Sequence, residues 1–315
     1  MNKLFLKQCK SVIYEIFYHH LLFPFLETVV RTPHDAWCSI APGHFYSPIP
    51  SKEDVANGKE QLLFPDSQNL PRKLAGIDLR EDEQFAILKQ LLQFYAELPF
   101  PDIQTSEFRY WYLNDTYSYT DAIFLYSIIR DRKPKRIIEI GCGKTTALML
   151  DVNERYFNYG IKYIGIEPYP EYLYECIREN DIEKIEIIEK KVQDVDVEIF
   201  RNLGCDDILF IDCSHVVKFN SDLVHIFNNI LPILEKGVLI HFHDIFYPFE
   251  IPSSWIDQGR YWNEAYFLKN FLAYNSEFQI YLFATFLHAF YHEWLSQNMP
   301  LSLKSQGGNI WIKRV

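Results

Sequence analysis

Residues 137–150 read IIEIGCGKTTALML: an apolar run, then Gly141-Cys142-Gly143, then Lys144 and residues able to open a helix. A glycine turn between a strand and a helix usually brings backbone close to a ligand. Three ligands use such a turn. The phosphate-loop pattern ending in GKT puts its first glycine where Ile138 stands, inside the strand, so the loop is too short to wrap a triphosphate. A dinucleotide fingerprint takes Gly141 and Gly143 but puts its third glycine at Thr146, a β-branched residue. A nucleoside without a phosphate chain needs the turn plus an acid after the next strand to hold its ribose, and Glu167 ends YIGIEP at that place. Farther on, Asp212 closes DDILFID, and His243-Asp244 close GVLIHFHD. Carboxylates and an imidazole at strand ends can act as a base, or hold a metal, toward an acceptor hydroxyl.

These residues need strands to carry them. The segments KRIIEIG, KYIGIEP, KIEIIEK, DDILFID and GVLIHFHD alternate with helical patterns, among them TTALMLDVNERYF, EYLYECIREN, VDVEIFRNL and NSDLVHIFNNILPIL. Strand–helix alternation of this kind predicts a parallel, doubly wound sheet. The tail adds a helix near 262–273, FQIYLFATF as a strand, a helix near 288–296 and GGNIWIKRV as a last strand. The expected fold is α/β and Rossmann-like, with a mostly parallel seven-stranded sheet whose last strand is antiparallel. Upstream, REDEQFAILKQLLQFYAEL and YTDAIFLYSIIRDRKP have helical spacing, while residues 32–76 are rich in Pro, Gly and Ser. The division expected is an N-terminal helical and irregular cap over 1–110 and a catalytic domain over 111–315.

The order strand-EIGCG, helix, strand-IEP is the pattern of an S-adenosylmethionine site, and residues 120–315 resemble a class I S-adenosylmethionine-dependent methyltransferase. RDRKPKRIIEIGCGKTT resembles the superfamily's first motif. FIDCSHVVKFNSDLVHIFNNILPILEKGVLIHFHD is similar to the branch of macrocin O-methyltransferase-like and cephalosporin-hydroxylase-like enzymes. The resemblance implies that Gly141 and Gly143 approach the methionine portion and ribose, Glu139 faces the ammonium group and Glu167 binds the ribose hydroxyls. It places Gln193 and Asp194 near the adenine and Asp212 and Cys213 beneath the sulfonium. Lys144 reaches the methionine carboxylate or points to solvent. The implied catalytic groups are Asp212, His243 and Asp244, which are also the candidate ligands of a divalent metal. An imidazole where the branch often has an acid suits manganese or iron better than magnesium, and a metal-free site with His243 as general base stays equally open.

Substrate contacts are expected from less regular segments. YPFEIPSSWIDQGRYWNEAYF offers Trp255, Arg260, Tyr261, Trp262 and Glu264 to a polar, ring-shaped acceptor, and NDTYSYTD offers Tyr117 from the other side. A loop packed by its own aromatics is the competing explanation for each. His215 in DCSH either caps a turn or touches the acceptor. Strand alternation puts His241 and His243 on one side, so one of them can be structural.

Composition narrows the partners. A formal net charge of -11 disfavours tracking a nucleic-acid backbone and suits a small-molecule or glycan acceptor. No stretch has the length and apolarity of a membrane span. Lys7, Lys10 and Glu15 interrupt the N-terminal aromatics, which read as an amphipathic packing helix rather than a signal peptide and hint at a homodimer. Six cysteines without a CxxC pair fit a reduced, cytoplasmic protein. The activity expected is O-methylation of a hydroxyl on a sugar or a glycosylated or small polar metabolite. The alternatives are a nicotinamide oxidoreductase and a non-catalytic protein that kept the fold for protein contacts.

Overall fold

The computed structural model describes residues 40–315. The chain divides into two compact units, Met1–Leu62 and Leu63–Val315. In the first, helix α1 (Lys52–Gln61) starts at a reciprocal cap. The Ser51 hydroxyl accepts from the Asp54 N–H at 3.0 Å, and the Asp54 carboxylate accepts from the Ser51 N–H at 2.9 Å. The amphipathic helix expected at the N-terminus lies outside the described residues.

The second unit is built on β1 (Arg136–Ile140), β2 (Lys162–Ile166), β3 (Glu186–Ile188), β4 (Ile208–Ile211), β5 (Leu239–His243), β6 (Phe278–Phe283) and β7 (Asn309–Arg314). Their order in the sheet is β3-β2-β1-β4-β5-β7-β6. Pairing is parallel from β3 to β5, and β7 lies antiparallel to both β5 and β6. This is the expected sheet. Its central strands, RIIEI, ILFI and LIHFH, are buried almost throughout, as strands covered on both faces must be.

The helices of this unit are α2 (Glu81–Leu91), α3 (Tyr119–Arg132), α4 (Lys144–Phe157), α5 (Glu171–Cys176), α6 (Asp222–His225), α7 (Ser253–Asp257), α8 (Glu264–Leu272), α9 (Ala284–Phe290) and α10 (His292–Asn298). Helix α3 is buried on every side from Tyr119 to Ile129, so it is a core element rather than an amphipathic cover. Lys133 adopts a left-handed φ of 50° and Pro134 follows, which ends it.

Two expected elements differ. The helix over NSDLVHIFNNILPIL is α only at α6; it widens to a π-turn over Ile226–Ile230 and tightens to a 3₁₀ turn over Leu231–Ile233. Pro232 has no N–H for the ladder and crowds the preceding turn, so a regular helix cannot run through. The strand FQIYLFATF stops at Phe283, where Gln84 Oε1 accepts the Phe283 N–H at 2.7 Å and takes it from the sheet. The remaining residues open α9.

Two buried polar clusters hold the layers that carry the site. Arg109 reaches from the loop before α3 into three carboxylates: Nη1 donates to Asp151 at 2.8 Å and Glu154 at 2.6 Å, and Nε donates to Asp181 at 2.6 Å. Its side chain, Asp151 and Asp181 are almost completely buried. Arg109→Met should therefore strand two carboxylates in the core and cost about 3–5 kcal/mol in urea unfolding. A loss below about 1 kcal/mol would show that water replaces the guanidinium.

Glu139, inside β1, is fully buried. Its carboxylate accepts from the hydroxyls of Thr146, at 2.6 Å, Thr145 and Tyr163. Burial pushes its carboxyl up to about 7 against the opposing pull of these three hydroxyls. The folded state thus prefers the protonated form. The stability this adds is complete below the ordinary value of 4.5 and is lost as pH rises through about 7. Urea unfolding across that window should show the wild type losing roughly 3 kcal/mol more than Glu139→Gln. Parallel curves would mean that the carboxyl titrates alike in both states.

Candidate active site

Strand order reverses between β1 and β4, and the crevice beyond their carboxyl ends is where open α/β sheets take ligands. Gly141 turns the chain there with φ of 83°. A Cβ at that position would lie 1.7 Å from the Asp212 carbonyl oxygen. Glycine is thus required first by the backbone leaving β4. A cavity of about 480 Å³ opens beside it, within the usual range for a small-molecule site. Gly141, Glu167, Gln193, Asp212, Cys213 and Ser214 are among its lining residues.

The other residues expected around a nucleoside stand elsewhere. Glu139 sits below the turn among its three hydroxyls. Gly143 faces the Tyr172 ring, which a Cβ would meet at 2.9 Å. Asp194 is exposed and outside the cavity lining. Lys144 neither enters the cavity nor points freely outward: its ammonium lies 3.9 Å from the centroid of the Trp111 ring. Thr146 plugs the position of a third glycine, its hydroxyl accepting from the Gly143 N–H at 3.1 Å. Beyond the end of β2, Glu167 lines the cavity and accepts from the N–H groups of Tyr169 at 2.8 Å and Cys142 at 3.1 Å. Gln193 donates to the Asn220 carbonyl at 2.9 Å, linking the two sides of the cavity.

Asp212 leads from the cavity into a ring of alternating carboxylates and imidazoles. His215 Nε2 lies 3.4 Å from Asp212 Oδ1 and 3.6 Å from Asp244 Oδ2. His243 Nδ1 lies 3.4 Å from Asp212 Oδ1 and 3.5 Å from Asp244 Oδ1. Behind the ring, His215 Nδ1 pairs with Glu264 at 2.8 Å and the His215 imidazole stacks on Trp262 at 4.5 Å. His215 and Asp244 both take a left-handed φ of 57°, a strained choice for residues with a Cβ.

Burial opposes charge throughout the ring, but pairing wins at three members. His243 and His215 hold the Asp212 carboxyl well below the usual carboxylate range. Asp244 and Asp212 overcome burial and raise His243 to about 10. Asp212 and Glu264 likewise raise His215. Asp244 is the exception, because burial outweighs both imidazoles and pushes its carboxyl up. His241, on the same side of β5, is pushed well down by burial and by His243. It stacks on Phe210 at 3.8 Å and is a core residue.

The expected substrate residues separate into two groups. Trp255 packs edge-on against Trp262 at 5.1 Å, and Arg260 lies over both rings, so the loop's aromatics continue the wall behind His215. Tyr261, next to Arg260 in the chain, is partly buried. Tyr117 is fully buried on the opposite side, 5.2 Å from the His243 ring, and its hydroxyl has no hydrogen-bond partner. Glu264 and Trp262, also read from the sequence as acceptor lining, turn to His215 instead. They meet His215 across 49 and 47 positions, a pairing with no local signal.

Comparison with known proteins covers the same part of the chain. A methyltransferase-domain family matches residues 138–245. An uncharacterized protein of Archaeoglobus fulgidus is 33% identical over 165 residues, covering 51% of this chain and 72% of that protein. Among solved structures, the SAH-bound methyltransferase PaMTH1 of Podospora anserina aligns at 14% identity and a TM-score of 0.41, over 72% of this chain and 87% of that one. The O-methyltransferase TomG of Streptomyces achromogenes, solved with SAM, aligns at 13% and 0.39, over 72% and 89%. The family match runs from β1 through the end of β5, the span that builds the crevice, and over that span this chain carries a methyltransferase domain.

Proposed function

We propose that the protein methylates a hydroxyl on a sugar or other small polar metabolite, with the acceptor held over the Asp212–His215–His243–Asp244 ring. One observation carries this reading: Asp212 lines the cavity and also contacts both imidazoles. The cavity residues Gly141, Glu167, Gln193 and Cys213 fit an adenosyl ligand: a glycine turn, a ribose-facing carboxylate and amide and thiol groups farther in. Bound S-adenosylmethionine supplies an electrophilic methyl group on a good leaving group.

The protein's share is to align the acceptor oxygen and take its proton. As the O–H bond breaks, the oxygen's electron pair forms the bond to the methyl carbon and the S–C bond breaks. His243 was the expected base, but an imidazole between two carboxylates keeps its proton. We assign the base to Asp244, which stands between both imidazoles and whose carboxyl is pushed up by burial. His243 and His215 orient Asp244 and balance the charge on Asp212. Trp262 and Trp255 give a sugar ring an apolar face to lie against.

The ring spacing favours a second reading. Among the described residues no three of these groups form a ready-made ligand set. Yet neighbouring ring atoms stand 3.4 to 3.6 Å apart. Carboxylate and imidazole donors gathered this closely are of the kind that can share one divalent ion. Asp212, His215, His243 and Asp244 would hold such an ion, with Glu264 supporting His215 from behind. It would supply a Lewis acid that lowers the acceptor's pKa.

The four described cysteines are free. No helix among the described residues is long and apolar enough to cross a membrane.

Asp244→Asn and His243→Ala should each lower turnover of a glycoside acceptor by ~10²- to 10⁴-fold, with S-adenosylhomocysteine affinity changed only a few-fold. Turnover within a few-fold of wild type in both variants would make the ring structural. A chelator separates the two versions: an unchanged rate leaves the base, and a loss restored by added manganese or zinc assigns the ion.

A further inference from the structure

We propose that the acceptor carries an anionic group, a carboxylate or a phosphate, and that Arg260 receives it. The inference rests on the acceptor lying at the Asp212–His243 ring, and it specifies the substrate class of that site.

The first observation is an exception in the ion pairing. The described residues include eleven arginines, and ten of them have a carboxylate within ion-pair distance. Arg260 alone among them has none. In a chain of net charge -11, an exposed guanidinium finds a carboxylate easily, so one left unpaired needs a reason.

The second observation is that Arg260 is nonetheless fixed. Its guanidinium lies 5.4 Å from the Trp255 ring centroid and 5.6 Å from that of Trp262. Its backbone N–H donates to the Trp255 carbonyl at 2.9 Å, closing a turn in which Gly259 takes φ of 76°. A guanidinium stacked on aromatic faces keeps its fork of N–H donors for another partner, and that fork matches carboxylate and phosphate geometry.

The third observation is position. Trp262, under Arg260, is the ring that stacks on His215 at 4.5 Å. From the His215 ring to the guanidinium is therefore about 10 Å at most, through one shared indole. A six-membered ring bearing one charged substituent spans that gap, with a hydroxyl at the reactive carboxylates and the anion at Arg260. The placement also separates charges. An anionic acceptor is repelled by Asp212 and Asp244, so a cation set apart from them fixes which end enters first.

Calorimetry on the full-length protein saturated with S-adenosylhomocysteine tests this, using glucuronate, glucose 6-phosphate and methyl glucoside as probes. At least one anionic probe should bind roughly 10- to 100-fold tighter than methyl glucoside, as a charge-assisted bidentate contact allows. The stronger of the two anions identifies carboxylate or phosphate. Arg260→Met should abolish the preference and Arg260→Lys should retain part of it, with S-adenosylhomocysteine affinity unchanged in both. Equal binding of all three probes, no anion binding, or a preference that survives Arg260→Met would overturn the inference while leaving the proposed methyl transfer standing. Failure of the wild type to bind S-adenosylhomocysteine would overturn both.

Discussion

The site depends on how closely β1 and β4 approach at their carboxyl ends. Asp212 N–H donates to the Ile140 carbonyl at 2.9 Å, while Gly141 N–H turns the other way to the Ile166 carbonyl at 3.0 Å. The Asp212 carbonyl fills the space a Cβ on Gly141 would need. Two chains thus leave one point in opposite directions, as they must where strand order reverses. The cavity opens on one side of that point and the carboxylate–imidazole ring on the other. Asp212 sits at the junction with its backbone fixed, and this lets one carboxylate belong to both.

Such a junction concentrates charge, and the surroundings keep it tolerable. Three carboxylates and two imidazoles are gathered around the ring, with His215, His243 and Glu264 buried. Left unpaired, each would carry a large desolvation cost. Alternation places every carboxylate against an imidazole, His243 against two carboxylates and His215 against three. The same surroundings hold the left-handed backbone at His215. The Asn263 and Glu264 N–H groups both donate to the His215 carbonyl, at 3.2 and 3.3 Å, while Glu264 and Trp262 fix the side chain. The local strain is met by contacts from a segment nearly fifty residues away.

That distance marks the limit of what the sequence discloses. Apolar runs such as RIIEI and ILFI announce buried parallel strands, because nothing else buries so continuous a set in so few residues. Gly141, Glu167 and Asp212 follow from counting strand ends. The turn chemistry is less transparent. Gly143 reads as a ligand contact, yet Tyr172 claims its open side, and Glu139 reads as a ligand group, yet Thr145, Thr146 and Tyr163 enclose it. A pattern reports which residue types sit near a turn; it does not report which neighbour reaches them first. The partnership of His215 with Glu264 and Trp262 has no period or spacing at all, and only the folded chain assembles it.

The two histidines of HFHD show how environment settles what alternation leaves open. His241 and His243 share one side of β5, with ring centroids 6.0 Å apart and nearly parallel. His241 has Phe210 on its face and Trp311 at its edge, and neither ring nitrogen has a hydrogen-bond partner. With no carboxylate against it, burial decides, and the imidazole stays neutral. One step along the strand, His243 stands at the sheet's end between Asp212 and Asp244, and there pairing overcomes the same burial. A positive His243 further disfavours charge on His241. A two-residue advance toward the carboxyl edge thus divides identical side chains into a neutral core group and a charged member of the site. The sheet supplies that gradient itself: its interior excludes water, while its edge gathers the loops that bring carboxylates.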